Sequence, residues 1–191
     1  MTRCPIRLVA GFMLIFGVLM VAGCRSAQPE HYSTALPEAM NTYSGVPAEP
    51  EMADDFVALF QGLSEPDWES RVRTVYAETL YFSDTLALIR TRDGLVEHFR
   101  RLHEAGVALE LSVEAAVADG PDLYLRWHMQ SRFRAAGRNV DSTTIGMTLL
   151  RFDDSGQVVL HQDYWDSTAG FYQHLPVLGG LLNWIGGRFD G

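Results

Sequence analysis

The sequence predicts one α+β domain in which helices pack on a curved antiparallel sheet, and three observations carry that prediction. Apolar residues recur at helical spacing from Phe56 to Leu102, interrupted once by a β-like run. From Leu109 to Trp165 the period changes to two. Clusters of turn residues at Asp119-Gly120-Pro121-Asp122, Ala135–Asn139 and Asp153–Gly156 cut that second half into an antiparallel meander.

Each element has its own signal. Phe56, Leu59, Phe60 and Leu63 form an apolar helical face behind Asp54 and Asp55, whose charges suit a helix N-terminus. Ser64-Glu65-Pro66 is expected to open a short second helix with Trp68, Val72 and Val75 on its apolar side, since an early proline needs no amide hydrogen. Leu80 to Ile89 reads as a strand or a pair of strands. Thr91 to Gly106 is the clearest helix: Leu95, Val96, Phe99 and Leu102 line one face, Glu97 pairs with Arg101, and Gly106 suits the C-terminal cap. His98 and His103, five apart, do not share a face well. Leu109–Val113, Leu123–Phe133, Val140–Phe152 and Val158–Trp165 are expected strands. The tail from 168 is apolar but carries glycines at 179, 180, 186 and 187, which makes it a poor isolated helix that must cover a sheet face or a second subunit.

Composition narrows the function. The chain has 191 residues, a formal charge of −9, two cysteines and no lysine. An acidic chain without a basic patch is not expected to bind nucleic acid, and two cysteines cannot build a disulfide framework or a cysteine zinc site. Residues 1–23 have the layout of a signal peptide: Arg3 and Arg7, then an uncharged apolar run from Leu8 to Val21, then small residues. The run is short of the ~20 residues that a spanning helix needs. Its end, Val21-Ala22-Gly23-Cys24, resembles the bacterial lipoprotein signal, which implies cleavage before Cys24 and lipidation of its thiol. Arg25 follows in place of an aspartate, so the expected location is the outer membrane, facing the periplasm, with Cys24 as the membrane contact. Loss of Arg3 and Arg7 would shift the formal charge from −9 to −11. Residues 24–51 hold Pro29, Pro37, Pro47 and Pro50 with no apolar period, and read as a lipidated cysteine followed by a disordered tether. The domain is then 52–191.

Two segments resemble the nuclear transport factor 2-like superfamily, which includes the SnoaL-like proteins and the ketosteroid isomerases. One is Tyr76-Ala77-Glu78 followed by Phe82-Ser83-Asp84; the other is Arg151–Val158 running into Asp163-Tyr164-Trp165-Asp166. The resemblance covers roughly 52–175 and implies a cone, a bent sheet wrapped around a pocket with helices closing the wide end. Alternation then sorts the faces. His161, Asp163 and Trp165 point one way, as do Leu125, Trp127, Met129 and Phe133 on their strand, opposite Arg126, His128, Gln130 and Arg132. Thr144, Gly146, Thr148 and Leu150 form the face that the resemblance places inside.

The resemblance also places Asp84 at the isomerase base, Phe60 at the oxyanion-holding tyrosine and Thr148 at the second acid. Phe60 cannot donate a hydrogen bond and Thr148 is a weak neutral donor, so isomerase chemistry in its known form is not expected. Epoxide-hydrolysing members use an Asp-Arg-Asp set, and no arginine is expected to face this pocket. Three readings follow. The first is a pocket for a small apolar molecule, lined by Phe60, Tyr76, Phe82, Trp127, Met129, Thr148 and Trp165. The second is a SnoaL-like enzyme (a hydrolase, isomerase or dehydratase) in which Asp84 works with His161 or Asp163 as an acid–base pair. The third is a homodimer through the outer sheet face. Asp84 also has a structural reading, as the cap of a turn, and for His161 the structural reading of a core or rim histidine weighs more than the catalytic one. No spacing points to a metal or cofactor.

Overall fold

The meander folds as β3 (Ala108–Asp119), β4 (Asp122–Ala135), β5 (Arg138–Phe152) and β6 (Val158–Trp165), each antiparallel to the next. Before it come α1 (Tyr32–Thr42), a 3-10 turn at Pro50–Ala53, α2 (Asp54–Gln61), α3 (Trp68–Val75), β1 (Tyr76–Ser83), β2 (Leu88–Thr91) and α4 (Arg92–Glu104). After it come α5 (Ser167–Gly170) and a short turn at Tyr172–His174. This computed structural model describes residues 32–135, 137–175, 178–180 and 184, which belong to the unit beginning at Tyr32. The expected signal peptide and the acylated Cys24 lie outside the described residues. No helix among the described residues is long and apolar enough to cross a membrane.

The six strands form one curved sheet in the order β2-β1-β6-β5-β4-β3. It is not wholly antiparallel as expected: β1 and β6 pair in parallel, with Phe82 beside His161 and Ser83 beside Gln162. The cause is α4, which carries the chain from the β2 edge to the opposite edge. The meander then returns β6 to β1 in the same direction.

The helices close the concave side. Phe56, Leu59, Val72, Leu95 and Phe99 pack against Leu123, Leu125, Leu150 and Phe152, all buried. Burying one such side chain contributes about 1.5–3 kcal/mol. α2 and α3 have eight residues each and would not hold as isolated helices, so this contact keeps them formed. α3 starts at Trp68, later than the Pro66 start expected, because Glu65 N bonds Gly62 O and Trp68 N bonds Glu65 O in consecutive turns. α4 is stopped as expected. Thr91 Oγ1 accepts from Gly94 N at 3.2 Å, and Val107 N reaches back to Leu102 O at 3.0 Å, with Gly106 at φ +69° between.

The expected tether is corrected from Tyr32 onward. Ala35 and Ala39 are buried on α1, against Tyr81, Leu149 and Leu160 of the convex sheet face. Their small size lets the helix sit close. The guanidinium of Arg151 donates to Met40 O and Tyr43 O at 2.8 Å each and pairs with Asp122, so a cation meets carbonyls at the C-terminal end of α1. Val46 N and Ala48 N then bond Phe152 O and Gly120 O, and the segment runs along the sheet rather than away from it.

Candidate functional site

The concave face of β6, the inner faces of β1 and β4, and the apolar sides of α2 and α4 meet around a cavity of about 120 Å³. The rings of Phe60, Phe82, Phe99, Phe133, Trp165 and Phe171 line it, together with Met129 and Leu102. Among the described residues its polar side chains are Asp84, Ser131 and Asp163. A second, open groove of about 390 Å³ between α2 and β3 is lined by Val57, Ala58, Val113 and Leu125 and lies away from these groups.

Asp163 ends a directed chain of hydrogen bonds. Trp127 Nε1 donates to Thr148 Oγ1 at 2.8 Å. An indole can only donate, so the Thr148 hydrogen goes on to Asp163 Oδ1, 2.5 Å away. The same oxygen lies 2.8 Å from His161 Nε2, while His161 Nδ1 lies 2.8 Å from Tyr76 Oη. Burial, reinforced by the charges of Asp163 and Asp84, pushes the Tyr76 phenol well above its ordinary pKa. Tyr76 therefore keeps its hydrogen, and its hydroxyl and the Asp163 carboxylate hold the two ring nitrogens of His161 from opposite sides. His161 is fully buried, stacked on Tyr76 and edge-on to Phe56 and Phe82. Gly146 makes room for this layer: a Cβ there would lie 2.5 Å from the Trp127 ring.

Asp84 follows β1 on another part of the cavity wall. Its Oδ1 accepts from Leu86 N at 2.9 Å and Ala87 N at 2.7 Å, and its Oδ2 lies 2.9 Å from His98 Nε2. Trp165 Nε1 donates to its backbone carbonyl at 2.8 Å. Asp84 thus both holds a turn and presents a carboxylate. Thr85, next in the turn, sits at φ +69°, a conformation that strains a non-glycine residue.

His161 and Asp163 are brought into direct contact, whereas Asp84 pairs with His98. Among the expected ligand contacts, Phe60, Phe82, Met129 and Trp165 line the cavity. Tyr76, Trp127 and Thr148 do not; they stand behind the wall in the chain that ends at Asp163. His98 and Phe171 were not expected at the site. His98 is three residues from Leu95 on the inward side of α4, a spacing visible in the sequence, but its partner Asp84 is fourteen residues away. Thr144 Oγ1, near Trp165, is buried with no hydrogen-bond partner among the described residues. No group of three or more His, Cys, Asp or Glu among the described residues could hold a metal ion.

The profile of the SnoaL-like domain matches residues 55–161. The chain belongs to the SnoaL-like domain family. Solved structures with the same fold include an LEH-like epoxide hydrolase from M. tuberculosis (20% identity, TM-score 0.51, 66% of this chain and 86% of that one). Another is a protein with a ketosteroid isomerase-like fold from Catenulispora acidiphila in complex with trimethylamine (17%, TM-score 0.55, 68% and 96%). A third is an NTF2-like protein from Exiguobacterium sp. (15%, TM-score 0.52, 60% and 98%). No curated protein matches the chain. At these identities the likeness establishes the fold, and the SnoaL-like fold hosts unrelated functions, so function has to be argued from the site.

Proposed function

We propose that this SnoaL-like domain binds a small, largely apolar molecule in its cone, held in orientation by one hydrogen bond to Asp163. The observation that carries the proposal is the make-up of the cavity: aromatic walls around the carboxylate that closes the Tyr76–His161 chain. A few placed polar groups in an apolar pocket are the usual composition of a small-molecule site. The proposed setting is a lipoprotein anchored through Cys24 at the outer membrane and facing the periplasm. That part rests on the sequence of residues 1–24. Native mass spectrometry of the gently purified full chain is the test. A bound non-protein mass that disappears on Asp163→Leu is expected; a ligand-free spectrum together with no uptake of apolar probes would sink the reading.

Acid–base catalysis by the same groups is the second reading, favoured by the His161–Asp163 contact. Against it, the polar side chains on the wall, among the described residues, are two carboxylates and one serine. A developing oxyanion would find no pair of strong donors there.

A further inference from the structure

Resting on the pocket reading above, we infer that the ligand is a small organic ammonium ion, a protonated amine carrying apolar groups. Three observations converge on that class. Asp163 Oδ1 already accepts from Thr148 and His161, while Oδ2 makes no hydrogen bond to any described residue. The carboxylate therefore keeps an acceptor that no described residue engages, on a wall that is mostly apolar.

The second observation is charge. Among the described residues no arginine lines the cavity, and the chain has no lysine. His161 stands behind the wall, between Tyr76 and Asp163, and does not line the cavity. Asp84 adds a second carboxylate to the wall, shared with His98. A carboxylate among aromatic rings is poorly solvated unless a counter-charge accompanies it.

The third is the walls. Phe60, Phe82, Phe99 and Trp165 carry electron-rich faces, and such faces attract an alkylammonium while also contacting its apolar substituents. An ammonium N–H would donate to Asp163 Oδ2, and its charge would be shared between that carboxylate and the rings. A neutral alcohol meets only the first of these needs, and an anion meets none.

Cyclohexylammonium and cyclohexanol separate the possibilities, because they share a ring and a donor and differ in charge. Both are titrated calorimetrically into the full chain in mild detergent, with competition between them to show a common site. The ammonium is expected to bind at least tenfold more tightly than the alcohol, with Asp163→Asn cutting that preference below threefold. A wild-type preference under tenfold, or one left intact by both Asp163→Asn and Asp84→Asn, would overturn the inference. Binding of the alcohol alone would leave the pocket standing and remove the charge preference. Binding of neither at millimolar concentration would remove the pocket as well. The wild-type ratio decides even where Asp163→Asn does not fold.

Discussion

Tyr76 carries two loads, one of packing and one of hydrogen bonding. Its ring stacks on His161 and its hydroxyl is the hydrogen-bond partner of Nδ1. Tyr76→Phe keeps the ring but leaves Nδ1 of a fully buried histidine without its hydrogen-bond partner. The expected loss is about 1–3 kcal/mol of unfolding free energy, measured by urea denaturation. A change within about 0.5 kcal/mol would mean that the imidazole turns and finds another partner. Thr144 works in the opposite direction. Its buried hydroxyl has no partner among the described residues, so Thr144→Val is expected to stabilise the ligand-free protein by roughly 1 kcal/mol in the same assay, since the unmet polar atom is removed at nearly constant shape. An equal loss would show that the hydroxyl is hydrated or bonded in solution. At this scale the sequence was partly legible. The inward set His161, Asp163 and Trp165 follows from period two alone. The Asp84–His98 pair does not, because it joins a turn to a helix face and neither residue announces the other.

Among the elements, the meander and α4 were readable because alternation, glycine turns and a capped helical stripe all agree over long stretches. α1 was not readable. Pro37 sits inside it and its buried face consists of two alanines, so neither propensity nor apolar period marks it. What forms it is tertiary: the convex patch around Tyr81, Leu149 and Leu160, and an arginine more than a hundred residues away holding carbonyls of Met40 and Tyr43. The parallel β1–β6 pair was hidden for a similar reason, since pairing between distant strands leaves no local trace. Arg151 is the testable link. Arg151→Met removes those hydrogen bonds and the ion pair to Asp122, so α1 should fray before the sheet does. Cleavage at Glu38 by a glutamate-specific protease is expected to accelerate by about threefold or more, and trypsin is no use in a segment without lysine or arginine. An unchanged rate would show that the alanine contacts hold α1 without the clamp.

At the level of the whole molecule, docking of α1 decides which part of the outer sheet face stays available. The helix covers the β1–β6 side, over Tyr81, Leu149 and Leu160. The remainder leaves Ile145 at 78%, Met147 at 43% and Tyr164 at 41% exposure. The polar set first considered for an interface is already engaged on its own sheet, because Arg126 and His128 meet Glu114 and Arg132 meets Glu110. A homodimer would therefore be driven by the apolar strip, with the arginine–glutamate pairs as its rim. Ile145 and Met147 are two apart on β5 and so share a face, and Tyr164 is the register partner of Met147 on β6. The strip is thus continuous across two strands, the shape that a two-fold contact can use on both copies. Sedimentation equilibrium of the full chain in density-matched detergent is expected to give a dimer, and Ile145→Glu a monomer, because the two copies would then bury like charges face to face. A monomeric wild type at high concentration would remove the homodimer and leave the strip as ordinary surface. Persistence of the dimer in Ile145→Glu would instead move the contact to another face.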